Sequence, residues 1–309
     1  MVPAPVELSI VVPVYQAEGC LDALHERLTQ TLSAMGLSYE VVLVDDASTD
    51  GSWSRIASLS GLDPHVRGYR LSRNFGQHAA ITAGLAQCRG ERAIVMDCDL
   101  QDPPEEIPRL VAKAKEGFDV VLARRARKQT SYFRQLSARL YFCLLNRVIP
   151  NPVNGEYGSY SCISRNVIDA YLRLGDRNRY YLFILRWLGF SQASIDYRQD
   201  ARYAGESAYT VKTLLRHAAQ GVFFQSSAIL YWIVYSGFAV SAISIGLAVY
   251  FTWKYFVHSV LPGWTSLSVL ILGMGGVMLI CVGTVGLYVA QIFEQVKGRP
   301  LYVIDRQTE

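Results

Sequence analysis

Val95-Met96-Asp97-Cys98-Asp99-Leu100-Gln101-Asp102-Pro103-Pro104, residues 95–104, decides how the chain is read. The apolar run from Ala93 to Met96 has the length and character of a buried strand. It stops in three carboxylates and an amide, and a Pro pair then opens a helix at Glu105. Acidic groups at the carboxyl end of a parallel strand stand where open α/β sheets bind ligands. Asp97 and Asp99 are two residues apart, so both face one site only where the strand bends into a loop. Oxygen ligands of this kind suit Mg²⁺ or Mn²⁺ shared with substrate phosphates. The plainer alternative is a helix cap, but one carboxylate is enough for that, and Asp102 can supply it.

Working outward, apolar strands alternate with helical periodicity on both sides of this stretch. Leu8 to Val14 is a near-continuous apolar strand, and Leu21, Leu24, Leu28, Leu32 and Met35 then recur at helical spacing until Gly36. Tyr39 to Val44, Arg67 to Leu71, Arg92 to Met96 and Asp119 to Ala123 are further strands. Helices are expected between them, among them Glu105 to Glu116 with Ile107, Leu110, Val111 and Ala114 on one face. This alternation predicts a doubly wound, mostly parallel α/β sheet. Polar clusters follow three strand ends: Asp45-Asp46, Arg73-Asn74 and Asp97 to Asp99. Three such clusters on one sheet edge point to a nucleotide site, although Asp45 to Gly51 alone reads equally well as a capped helix start.

Hydrophobic residues make up 51% of the 309 residues, and they are unevenly placed. No Asp, Glu, Lys or Arg occurs from Ala218 to Trp253, nor from Tyr255 to Phe293. Each run exceeds the ~20 residues that cross a bilayer as a helix. The expected organisation is a cytosolic α/β domain over 1–210, an amphipathic juxtamembrane segment over 211–228, two transmembrane helices within 229–293 and a cytosolic tail over 294–309. Lys212 and Arg216 precede the first span and Lys297 and Arg299 follow the second, against Lys254 alone between them. The positive-inside rule therefore keeps both ends in the cytosol. Met1 to Glu7 lacks the basic start of a signal peptide, and the six cysteines show no metal spacing and read as reduced thiols.

The net charge of +4 gives no case for nucleic acid as a partner. The densest basic region is Arg124, Arg125, Arg127 and Lys128, followed by Tyr132 to Ile149, with an apolar stripe on one side and Arg134, Arg139 and Arg147 on the opposite side. That stripe suits either core packing or an amphipathic helix at a membrane surface. The basic residues beside it suit phosphate or anionic headgroups.

Several motifs occur together in a familiar order: Pro13-Val14-Tyr15, Val44-Asp45-Asp46-x-Ser48-x-Asp50, Arg73-Asn74-Phe75-Gly76, Asp97-x-Asp99-Leu100-Gln101-x-Pro103-Pro104-Glu105 and Arg202-x-x-Gly205-Glu206-Ser207. The chain resembles the family 2 polyisoprenyl-phosphate glycosyltransferases, which include dolichyl-phosphate mannose synthases and bacterial undecaprenyl-phosphate sugar transferases. Through Arg73 to Ile81 and Pro103 to Val121 it looks most like the undecaprenyl-phosphate 4-deoxy-4-formamido-arabinose transferases. The resemblance runs from about residue 8 to the end of the chain.

The resemblance implies a GT-A fold and an inverting transfer of a sugar from a nucleotide-sugar, UDP-linked in preference, to a polyprenyl phosphate. Its product would be a lipid-linked monosaccharide for cell-envelope glycan or lipopolysaccharide modification. Carried onto this sequence, Pro13, Tyr15, Asp45, Asp46 and Asp97 would hold the nucleoside. Asp99 and Gln101 would hold Mg²⁺ or Mn²⁺ against the diphosphate, and Arg125, Arg134 and Ser137 the acceptor phosphate. Arg202 and Ser207 would lie in the loop over the diphosphate, while Glu156 would orient the acceptor or stand as a solvated loop residue. A homo-oligomer in the inner membrane is also implied, and the glycines of the second span (Gly273, Gly275, Gly276, Gly283, Gly286) permit close helix packing.

Two positions depart from the family pattern. Ala208 follows Ser207 where a lysine is usual, leaving Lys212, one helical turn on, as the available cation. Glu156 stands where close relatives carry Asp. A processive polysaccharide synthase is excluded, because Phe183 occupies the Gln position of the Gln-x-x-Arg-Trp motif ahead of Arg186-Trp187. The remaining alternatives are a non-catalytic membrane protein that binds nucleotide-sugar and a GDP-mannose-dependent synthase of the dolichyl-phosphate type.

Overall fold

The computed structural model describes residues 6–125, 157–177, 179–200 and 264–308, together with isolated helical positions between 235 and 257. The expected amphipathic helix over 132–149, most of the first apolar span, and Arg134, Ser137, Glu156, Arg202, Ser207 and Lys212 lie outside the described residues.

Among the described residues the first unit is built on one eight-stranded sheet. In chain order its elements are β1 (Leu8–Val14), α1 (Glu18–Met35), β2 (Tyr39–Asp45), α2 (Ser52–Leu62), β3 (Val66–Leu71), α3 (Gln77–Gln87) and β4 (Arg92–Val95). There follow a 3₁₀ turn (Pro104–Glu106), α4 (Ile107–Lys115), β5 (Val120–Arg125), β6 (Tyr157–Ser164), α5 (Arg165–Arg173), α6 (Tyr181–Trp187) and β7 (Gln192–Tyr197). After the apolar helix α7 (Trp264–Val296), strand β8 (Ile304–Gln307) completes the sheet. The strand order is β7-β5-β6-β4-β1-β2-β3-β8.

β1, β2, β3 and β4 pair in parallel, as do β5 and β7. β1 is buried along its whole length, as expected of a parallel strand covered on both faces. The pleat sends Ile10, Val12 and Val14 into one core with α1 and α4, and Val11 into the other with α3 and α5. α1 ends at Gly36 in the left-handed conformation (φ 64°), where a side chain would be strained.

The structure departs from the sequence reading in three places. β6, a strand the sequence reading did not foresee, runs antiparallel between β4 and β5 in a sheet that is mostly parallel, as expected. The helix expected from Glu105 begins as a 3₁₀ turn, and the α-helix proper starts at Ile107. The expected C-terminal tail instead supplies β8, antiparallel to β3, with Tyr302 and Ile304 packed on the core and the Thr308 hydroxyl accepting from the Gly68 N–H (2.8 Å). This edge strand was not legible in a short polar segment because its partner, β3, lies more than two hundred residues earlier in the chain.

The second unit contains α7. Gly273–Val296 within it is, among the described residues, the one helix long and apolar enough to cross a membrane. Ile271, Met278, Ile280 and Val282 are largely exposed on it, an arrangement that water does not favour. The described positions between 235 and 257 are helical as well.

Candidate active site

The carboxyl ends of β1, β2 and β4 carry three loops whose backbones each contain one non-glycine residue at positive φ: Gln16 (50°), Ala47 (55°) and Leu100 (58°). Left-handed backbone costs a side-chain-bearing residue about 1–2 kcal/mol, and such strain concentrates at functional sites. Hydrogen bonds hold these loops in place. The Ser48 hydroxyl accepts from the Gln16 N–H (2.9 Å), and the Ser52 hydroxyl from the Ala17 N–H (3.0 Å). The first two loops are therefore laced together beside Pro13 and the half-exposed Tyr15 ring.

Asp45 and Asp46 lie below that surface. Asp45 is fully buried, accepts the Ser48 N–H (3.1 Å) and pairs with Arg70 (3.3 Å). Arg70 also donates to the Ser48 carbonyl (3.1 Å). Asp46 is only 3% exposed, and its two oxygens accept the backbone N–H groups of Phe75 (2.7 Å) and Gly76 (2.8 Å) at the start of α3. Burial raises the Asp46 pKa, and those two N–H groups oppose the rise. As placed, both carboxylates build the loop walls.

The acidic loop after β4 forms the floor. Asp97 Oδ1 accepts from Gln77 Nε2 (2.7 Å) and from the Ser159 hydroxyl (2.8 Å), which ties the loop to α3 and β6. Burial, then the negative charge of Asp102, pushes the Asp97 carboxyl up to about 6. Cys98, enclosed between the two aspartates, is pushed up to about 12, again mainly by burial, and is an unreactive thiol at neutral pH. Asp99 and Gln101 are half-buried. Asp99 Oδ1 accepts the Gln101 N–H (3.1 Å), and Gln101 Oε1 accepts from Gln199 Nε2 (3.1 Å).

Among the described residues no three His, Cys, Asp or Glu side chains gather as a self-sufficient metal site. The donor set of Asp99 and Gln101 fits a hard divalent cation that completes its coordination with phosphate and water oxygens.

Arg125 closes β5 on the far side of the acidic loop, with its Nη2 4.0 Å from Asp102. The structure therefore brings Pro13, Tyr15, Asp45, Asp46, Asp97, Asp99, Gln101 and Arg125 to the same strand ends. Sequence reasoning missed Arg70, Gln77, Ser159 and Tyr197. Gln77 directly follows the quoted Arg73 to Gly76 motif, and Ala193, Ile195 and Tyr197 alternate at the period of a strand, which was the available signal.

Comparison with known proteins places the chain in a family. Over 303 residues the chain is 34% identical to an uncharacterized glycosyltransferase of Bacillus subtilis, YkcC, covering 97% of this chain and 94% of the relative. It is 34% identical over 309 residues to the undecaprenyl-phosphate 4-deoxy-4-formamido-L-arabinose transferase of Shewanella sediminis, covering 96% and 91%. Among solved structures, glucosyl-3-phosphoglycerate synthase from Mycobacterium tuberculosis, crystallised with Mn²⁺, uridine diphosphate and phosphoglyceric acid, aligns with a TM-score of 0.51. At 19% identity, covering 71% of this chain and 77% of that one, it shows a shared GT-A fold. Glycosyl transferase family 2 matches residues 9–172, more than half the chain, and with the full-length relatives this makes the protein a glycosyltransferase belonging to that family.

Proposed function

We propose that the protein transfers a sugar from a nucleotide-sugar, UDP-linked in preference, to a polyprenyl phosphate such as undecaprenyl phosphate, with inversion at the anomeric carbon. The observation that carries this reading is the meeting of the half-buried acidic loop, Asp97 to Asp102, with the Arg125 guanidinium at one set of strand ends. Near-full-length relatives named as undecaprenyl-phosphate transferases support the acceptor. So does an apolar helix that would hold the enzyme where such lipids reside.

In this reading Tyr15 and the laced loops at Pro13 and Asp46 bind the nucleoside, and Asp99 with Gln101 hold Mg²⁺ or Mn²⁺. A bound divalent cation offsets the charge that develops on the leaving nucleoside diphosphate. Arg125, joined by Arg134 and Ser137, grips the acceptor phosphate in the bidentate manner that favours arginine over lysine. With a second pKa of ~6 the phosphate is largely dianionic at neutral pH, so it needs positioning more than a general base. Its oxygen forms the new bond to the anomeric carbon as the bond to the diphosphate breaks, and the nucleoside diphosphate departs. Glu156 orients the acceptor, and Arg202, Ser207 and Lys212 close over the diphosphate. Two spans with both termini in the cytosol anchor a homo-oligomer in the inner membrane, where the lipid-linked monosaccharide feeds envelope glycan or lipopolysaccharide modification.

The test is transfer from labelled UDP- and GDP-sugars to undecaprenyl phosphate in detergent, with Mn²⁺ or with EDTA. Lipid-linked product from one donor, abolished by EDTA and by Asp99→Ala, is expected. Nucleotide binding without product from any donor would overturn the reading and turn attention to Ala208.

A further inference from the structure

The proposed acceptor-binding arginine rests on a buried mount, Asp102 and Tyr197, a role that the sequence reading gave to neither residue. β5 and β7 pair in parallel with Arg125 opposite Tyr197, so the two side chains leave the sheet side by side. The Tyr197 ring is buried (3% exposed), stacks edge-on against Tyr160 (5.5 Å) and donates its O–H to Oδ1 of Asp102 at 2.5 Å. The same phenol oxygen accepts from Arg125 Nε at 3.3 Å. Asp102 is fully buried, and among the described residues its Oδ2 has no hydrogen-bond partner.

A fully buried carboxylate with one oxygen unpartnered among the described residues is costly unless a cation stands close. Arg125 Nη2, 4.0 Å from Oδ1, is that cation. On another side of the guanidinium lies Gly158, where an added Cβ would come within 2.7 Å of Nη2. The arginine is thus bounded by an acceptor at Nε, a buried negative charge near Nη2, and a glycine that leaves Nη2 its space.

We propose that Tyr197 and Asp102 are positioning residues that fix the orientation of the Arg125 guanidinium for the acceptor phosphate, with Gly158 providing its clearance. This rests on the reading of Arg125 as the phosphate-binding residue. The physical case is preorganisation: a free arginine side chain loses rotamer entropy on binding, and a planar fork binds phosphate well only in the right plane. Asp102 alone would attract the charge, but it is Tyr197, engaging Nε, that sets the plane.

The experiment measures KM for undecaprenyl phosphate and for the productive nucleotide-sugar, kcat, and the Kd of the nucleoside diphosphate, on the full chain in detergent. Tyr197→Phe keeps the ring and its packing and is expected to raise the acceptor KM about tenfold while donor KM and nucleotide Kd move less than about twofold. In an Arg125→Lys background the same change is expected to add less than about twofold, because a point charge has no plane to lose. Gly158→Ala, which crowds Nη2 without touching Asp102, is expected to show the same acceptor-specific signature, so a poorly folding Tyr197→Phe does not remove the test.

If Arg125→Lys itself leaves the acceptor KM unchanged, the reading of Arg125 fails. If Arg125→Lys raises it while Tyr197→Phe and Gly158→Ala do not, the mount is overturned. Equal effects of Tyr197→Phe in both backgrounds would overturn it as well.

Discussion

Asp46 separates two accounts of the proposed nucleotide site, because the family resemblance implies a nucleoside ligand and the structure shows it pinning a loop. Its two oxygens take the N–H groups of Phe75 and Gly76 at 2.7 and 2.8 Å, and almost none of the side chain reaches solvent. Asp46→Ala leaves both N–H groups without a partner at the start of α3. Each loses a hydrogen bond to a charged group, which contributes about 1.5–3 kcal/mol, and both donors are only half-buried, so the variant is expected to lose roughly 2–6 kcal/mol. A domain of 150–250 residues shifts by about 2–4 °C per kcal/mol, which puts the fall in Tm on the order of 5–20 °C. Asp46→Asn retains one acceptor oxygen and is expected to lose about half as much. Thermal unfolding by near-UV circular dichroism, with nucleotide Kd measured on each folded variant, reads both effects. A variant Asp46→Ala that melts within about 2 °C of the parent but no longer binds nucleotide would refute the pin and restore Asp46 as a direct ligand.

Three further outcomes follow from the geometry. The Asp97 carboxyl titrates near 6 in the folded protein against about 3.9 in the unfolded chain, so between those values the native state holds more protons. Stability of the metal-free protein should therefore fall as pH rises from about 4 to 6, by at most ~1.4 kcal/mol per pH unit from this group, and urea titrations should show that slope reduced in Asp97→Asn. Glu40 is buried and gathers the Ser9 hydroxyl (2.7 Å), the Arg89 N–H (2.5 Å) and the Arg67 guanidinium (2.8 Å). Glu40→Ala leaves two donors unpaired and Arg67 with only the Gln87 carbonyl and the Tyr69 hydroxyl, and a loss of about 2–4 kcal/mol is expected in denaturant unfolding. At Gly84 an added Cβ would collide with Val11 Cγ1 and press on Val44 (3.2 Å), forcing α3 off the sheet. Gly84→Ala is expected to cost about 1–3 kcal/mol, and pairing it with Val11→Ala should recover part of the loss in Tm.

The sequence by itself determined the α/β half of this protein. β1, β2 and β4 are short apolar runs, and each fell within a residue or so of its expected bounds because burial on both faces leaves no other reading of such a run. The acidic loop was equally legible, since Asp97, Asp99 and Gln101 at a strand end break an apolar pattern at one point. The charge-free run around Gly273–Val296 declared its helix by composition alone. What the tertiary structure decided were the pairings between distant segments. β6 inserts antiparallel between β4 and β5, and β8 returns to the edge beside β3, because strand partners are chosen by hydrogen bonding across space. The same holds within the site. Asp45 and Asp46 have carboxylates that suit a ligand equally well in sequence, and only the folded chain shows their contacts with Ser48, Arg70, Phe75 and Gly76. Tyr197 acquires its relation to Asp102 and Arg125 through the register of β7 on β5, a relation that exists only once the sheet has formed.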